Sequence, residues 1–191
     1  DRNIHVVKPF TVKPRDFSVI EAIDVHPRHP DAVLYLATRR DGVNFIVDEL
    51  YENGTTPELA ERIKRKRCLY PNFVKSLLEP AGFIEDQHEE NKTENSLHKK
   101  LANLGIDCIP GSKRRHDAIK AIQDAIFYQK VGEEYAQSPT LYIFDTCVRT
   151  IFEFEHYQWT EWTGKTKERK APSEKPQDKD DHELENLGRI L

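Results

Sequence analysis

The 191-residue sequence predicts an α/β protein built on a mixed β-sheet covered by helices. Three observations predict it. Three strand-like runs follow one another with only short polar connections, which implies an antiparallel meander. From residue 56 onward, helical and strand-like segments alternate. The chain is apolar enough (37%) to bury one sizeable core, although 32% of its residues are charged.

The elements follow in order. Residues 1–16 are polar, carry Pro9 and Pro14, and read as a partly extended leading segment. The first strand, over 19–25, is the run around which the chain is organised, because it holds one acid, Asp24, among Ile20, Ala22, Ile23 and Val25. An aspartate leaving a buried strand is costly unless its charge is compensated, and a metal ion is one such compensation. The second strand spans 32–38, Arg39-Arg40-Asp41-Gly42 turns the chain, and the third strand spans 44–51. Thr56-Pro57-Glu58 is a helix start with Thr56 as the cap, Leu59, Ala60 and Ile63 form the apolar side, and Lys64-Arg65-Lys66-Arg67 suits the C-terminal end of the helix dipole.

The fourth strand, over 73–78, runs into Glu79-Pro80-Ala81-Gly82. Residues 85–94 read as an acidic loop. Leu97, Leu101 and Leu104 have helical spacing that Gly105 stops. A short fifth strand covers 107–109, a helix covers 113–128 with Ile119, Ile122 and Ile126 on one face, and a further strand covers 140–144. Val148, Ile151, Phe152 and Glu155 keep a helical period. Residues 163–179 form an exposed loop or hairpin, and Trp159 and Trp162 before it pack against the domain. In the last helix, over 181–191, Leu184, Leu187 and Leu191 make an apolar stripe. No internal repeat is present. The order β-β-β-α-β-α-β-α is that of the ribonuclease H-like fold, and one domain over 1–191 is expected.

Other classes are set aside by composition. Cys68, Cys108 and Cys147 are odd in number and widely spaced, which speaks against a disulfide framework or zinc ribbon and fits a reducing compartment. No apolar run approaches the ~20 residues of a membrane span, and no signal peptide is expected. The chain contains no Met, so an excised domain of a larger machine is expected. A net charge of −4 does not itself mark a polyanion binder, but local basic clusters matter more than the sum.

In this strand order the first strand lies beside the fourth, so Asp24 and Glu79 stand near neighbouring strand ends. At 100° per residue Asp181 and Glu185 share a face of the last helix, Arg189 follows, and His182 stands beside them; Asp180 falls nearer the apolar stripe, where it can cap the helix. Carboxylates gathered at one point repel unless hard divalent cations such as Mg²⁺ or Mn²⁺ neutralise them, and two such ions support phosphodiester hydrolysis. The alternatives stay open: Asp24 as a turn former, Glu79 as a loop residue, and Asp181 and Glu185 as a solvent-facing pair held by Arg189. Lys113, Arg114 and Arg115 open a helix and are either a phosphate-binding patch or a solvated run. Lys165, Lys167, Arg169 and Lys170 lie over a DNA cleft or in a linker.

The segments AIDVHPRHPDAVLYLA, VDELYE, LLEPAGFIEDQ, NLGIDCIPGSKRRHDAI and DKDDHELENLGRIL, in this order, resemble the nuclease domain of the tailed-phage terminase large subunit. The resemblance implies a ribonuclease H-like endonuclease that cuts concatemeric viral double-stranded DNA during genome packaging in the host-cell cytoplasm. It implies catalytic Asp24, Glu79 and Asp181; Mg²⁺ or Mn²⁺, as two ions, on Asp24, Glu79, Asp181 and Glu185; and His182 and Asp180 as flanking groups. The closing segment Asp181-His182-x-x-Glu185-Asn186-Leu187 has Glu185 where the family commonly has a second Asp, and Asn186 where it has Ala. Expected partners are DNA and, in the full-length protein, an ATPase motor domain, the small terminase subunit and the portal. Nothing in this chain resembles a Walker A loop. The other readings are a DNA-binding or docking module without catalysis, and a resolvase- or transposase-like nuclease of the same superfold.

Overall fold

The computed structural model describes residues 1–26, 29–84, 96–112, 114–157 and 181–191. The three expected hairpin-linked strands are β2 (Phe17–Asp24), β3 (Asp31–Arg39) and β4 (Asn44–Glu52), paired antiparallel. The turn between β3 and β4 places Gly42 at φ 88°, a left-handed conformation that glycine adopts without a Cβ clash. On the far side of β2, β5 (Phe73–Leu78) and then β6 (Cys108–Pro110) join in parallel. On the far side of β4, β9 (Leu141–Phe144) joins in parallel and carries β1 (Val6–Val7) outside it. The seven-stranded order is β1-β9-β4-β3-β2-β5-β6.

β3 is central. Its residues 31–37 are buried without alternation, because helices cover both faces of the sheet. Side chains alternate along β2, so Glu21 and Asp24 point to opposite faces. Glu21 meets Arg67 at the end of α2 (Thr56–Arg67), and Asp24 meets α6 (His182–Ile190). The core joins Leu59, Ala60 and Ile63 of α2 to Ile23, Leu34 and Leu36 of the sheet, and Leu184 and Leu187 complete it from α6. α5 (Val148–His156) and α4 (Arg115–Ile126) pack beside α6. Among the described residues no helix is long and apolar enough to cross a membrane.

Several boundaries differ from expectation for identifiable reasons. The cap of α2 is Thr55, not Thr56: Glu58 Oε2 accepts both the N–H and the hydroxyl of Thr55, each at 2.8 Å, an arrangement that needs three-residue spacing. The leading segment is more ordered than expected. It forms α1 (Arg2–His5) and β1, because Val6 and Val7 pair with Ile143 and Phe144 at the sheet edge. Helix α4 starts at Arg115, two residues later than expected, with the Ser112 hydroxyl accepting Arg114 N–H at 3.2 Å. An unexpected exposed hairpin, β7 (Gln129–Val131) and β8 (Glu134–Gln137), turns at Gly132, φ 68°. Its polar sequence carries no alternation to signal it. α3 (Leu97–Asn103) ends one residue before Leu104, and Gly105 follows at φ 78°. The expected loops over 85–94 and 163–179, together with Trp159 and Trp162, lie outside the described residues.

Candidate active site

The parallel register of β2 and β5 pairs Ile23 with Leu78, so the next residues, Asp24 and Glu79, leave the sheet side by side. The Glu79 amide donates to Ile23 O at 3.1 Å and fixes this step. The Asp24 charge acts directly on the Glu79 carboxyl. The juxtaposition expected from strand order is therefore present.

Helix α6 lies across these strand ends. His182 Nδ1 is 2.8 Å from Asp24 Oδ2. Arg189 Nη2 stands 3.1 Å from Glu185 Oε2, 3.6 Å from Asp24 Oδ1 and 4.0 Å from Glu79 Oε2. Asp181 is turned to Arg115, Oδ2 to Nη2 2.6 Å, and the same Nη2 lies 3.6 Å from Glu185 Oε1. Asp24, Glu79 and Glu185 thus meet around Arg189, while Asp181 and Glu185 meet around Arg115. Among the described residues no three His, Cys, Asp or Glu side chains form a group ready to hold a metal ion. The donors at the strand ends are all carboxylate oxygens, which suit Mg²⁺ or Mn²⁺ rather than a softer metal. Asp180 and Lys113 lie outside the described residues.

Protonation follows from this packing. Burial pushes the Asp24 carboxyl up, but the hydrogen bond with His182 and the charges of Arg189 and His182 outweigh it, and Asp24 sits below the usual carboxylate range. Burial and the adjacent Asp24 charge raise Glu79 to about 7, with Arg189 offsetting part of the rise. Near neutrality Glu79 therefore holds a proton part of the time. His182 is raised by its bond to Asp24 despite desolvation. Burial also raises Glu185.

What holds α6 in place was not legible in the sequence. Glu49 on β4 caps α5: Oε1 accepts Arg149 N–H at 2.7 Å, and Oε2 accepts Thr150 N–H at 2.9 Å and its hydroxyl at 2.7 Å. Glu153 on α5 in turn caps α6, Oε2 accepting Glu183 N–H at 2.8 Å and Leu184 N–H at 3.1 Å, while Oε1 takes Arg149 Nε at 2.9 Å. Asn186 Nδ2 donates to Ala32 O on β3 at 3.1 Å. Glu183 is completely buried beside Asn186. Desolvation and the neighbouring Glu49 and Glu153 push it well above the usual range. One signal was available: 183, 186 and 187 share the inward face of the helix with Leu184.

The basic residues divide. Arg67 is committed to the opposite face, with Nη2 2.6 Å from Glu21 Oε1, and Lys66 reaches Asp48 at 2.6 Å, so the end of α2 does more than complement a dipole. Arg114 and Arg115 instead line a cleft of about 300 Å³ between α4 and α6, with Pro80, Ser112, Ala118, Glu185, Gly188 and Arg189. The helices approach closely there: a Cβ on Gly188 would stand 2.7 Å from that of Ala118. Beside Asp24, the rings of His26, His29 and His182 gather with centroids 4.7 to 5.9 Å apart.

No protein-family model matches the chain, and no curated protein does. Solved structures do. The chain is similar to the large terminase of a thermophilic bacteriophage in complex with ADP, at 20% identity and TM-score 0.73, over 100% of this chain and 42% of that one. It is similar to the P22 large terminase nuclease domain, at 18% identity and TM-score 0.70, over 99% and 87% of the two chains. With the large terminase nuclease from thermophilic phage G20c, identity is 11% and TM-score 0.52, over 96% and 84%. The chain thus spans less than half of the ADP-bound large terminase and most of the other two. The fold is ribonuclease H-like, as in these nuclease domains.

Proposed function

We propose that this chain is the nuclease domain of a tailed-phage terminase large subunit, a metal-dependent endonuclease cutting concatemeric viral double-stranded DNA during packaging. The observation that carries the reading is the meeting of Asp24 and Glu79 at the ends of two parallel strands, under a helix bearing Asp181, His182 and Glu185. Likeness of fold to the P22 nuclease domain and to the ADP-bound large terminase supports it.

In this reading Asp24, Glu79, Asp181 and Glu185 would hold Mg²⁺ or Mn²⁺, two ions in the finer form of the proposal, which would polarise a phosphodiester and activate water. The chain's own residues do the rest. His182 holds Asp24 ionised and oriented through the 2.8 Å contact. Glu79, titrating near 7, exchanges its proton close to working pH. Arg114 and Arg115 supply phosphate contacts that hold a duplex without reading its bases. The host-cell cytoplasm is the proposed setting. An ATPase motor, the small subunit and the portal are the proposed partners of the full-length protein.

The test is cutting of supercoiled plasmid by the 191-residue chain with Mn²⁺ or Mg²⁺. Cleavage should require the ion and be abolished in Asp24→Asn; cleavage that survives this substitution overturns the mechanism. One observation favours a second reading, a DNA-docking module without catalysis: a guanidinium, Arg189, stands among the three carboxylates. That reading expects salt-sensitive DNA binding and no metal-dependent cutting.

A further inference from the structure

Arg189 stands where three acids of the site face one another, and the structure holds it there from behind. Its side chain is only 9% exposed. Nη1 donates to Asn186 Oδ1 at 2.9 Å, and Asn186 is itself tied to Ala32 O. The aliphatic stem lies against Gly111, where a Cβ would come within 3.0 to 3.2 Å of Arg189 Cδ, Cγ and Cβ. Gly111 follows β6 and donates to Leu78 O beside Glu79, so it belongs to the same end of the sheet. Glu185 and Asn186, the two departures from the resembled closing motif, are the two residues that bond this guanidinium.

Asp24 Oδ1 and Glu79 Oε2 face Nη2 at 3.6 and 4.0 Å. A divalent ion held by those oxygens would stand close to the guanidinium, and two cations so close repel each other. We infer that Arg189 is a resident competitor of the divalent cation, latching Asp24, Glu79 and Glu185 and swinging into the adjoining cleft when an ion binds. The inference rests on the nuclease reading above. The cleft that Arg189 already lines gives the side chain somewhere to go. The latch also keeps three carboxylates from repelling one another in the cation-free chain.

Calorimetric titration of Mn²⁺ into the 191-residue chain, without DNA, tests this. Arg189→Met should bind Mn²⁺ at least tenfold more tightly than wild type, and Asp24→Asn should remove binding in both backgrounds. A merely structural role for Arg189 would weaken binding, not tighten it. Equal or weaker binding by Arg189→Met, with Asp24 still required, overturns the latch and leaves the nuclease reading standing. No Mn²⁺ binding in either background, or binding indifferent to Asp24→Asn, overturns both. Far-UV circular dichroism checks folding. If Arg189→Met fails to fold, Arg189→Lys, which keeps a cation but loses the fork to Asn186, carries the test, with tighter binding expected and unchanged or weaker binding overturning the latch.

Discussion

Glu153→Gln removes the titrating charge at the residue that caps the site helix. Glutamine keeps a carbonyl oxygen for the amides of Glu183 and Leu184, which Glu153 accepts at 2.8 and 3.1 Å, and loses the carboxylate charge together with the oxygen that takes Arg149 Nε at 2.9 Å. Burial raises the Glu153 carboxyl from 4.5 to about 7, against the favourable amides of α6 and the Arg149 charge. The folded state therefore keeps this proton after the unfolded chain has released it. Stability from this group is fully present below 4.5 and lost as pH rises toward 7. Linkage converts that displacement into roughly 2–3 kcal/mol of stability lost between about pH 5 and pH 8. Glutamine has no such loss. Urea unfolding of both chains at about pH 5 and pH 8 should show Glu153→Gln gaining relative to wild type by about 2 kcal/mol as pH rises, with equal m-values. Subtracting wild type removes the other raised carboxyls, Glu79 and Asp31 among them. A stability difference independent of pH would refute the reasoning.

Two further substitutions probe the cleft. Gly188→Ala should lower stability by on the order of 1 kcal/mol, because the new Cβ would stand 2.7 Å from that of Ala118 and overpacking outweighs the helix propensity gained; a chain stabilised against urea would contradict the close packing of α4 on α6. Arg115→Gln should weaken binding to duplex DNA of any sequence and reduce the slope of log K against log salt by about 0.9, one phosphate contact. An unchanged slope, measured by fluorescence anisotropy over a salt series, would remove Arg115 from the DNA contacts.

Much of the sheet was legible because its signals are local. Period-two and continuous apolar runs marked the strands, and short polar turns marked the meander. From strand order alone Asp24 and Glu79 were expected to meet, and the register Ile23 to Leu78 brings them together. The edge strand β1 and the hairpin β7–β8 were missed: two valines and a polar run carry no period, and in β1 it is pairing with β9 that makes a strand. Within the site, residue types were legible and partners were not. Asp181 and Glu185 were placed on one face of the last helix, yet nothing local to that helix shows that Asp181 turns to Arg115, 66 positions earlier in the chain.

Glu21 and Asp24 illustrate where the line falls. Both are acids on one strand, three residues apart, and their opposite orientation follows from strand alternation alone. Which one meets Arg67 and Ser76, and which meets His182 and Arg189, depends on which helix covers each face. Sequence by itself determined the meander strands, the main helices, their order and the presence of acids at strand ends, because these rest on hydrophobic period and turn chemistry within a few residues. Only the tertiary structure decided the carboxylate caps running from Glu49 through Glu153 to α6, and the place of Arg189 among the acids. Charge pairing in a desolvated interior is set by distances between chain segments far apart in sequence, which local pattern does not encode.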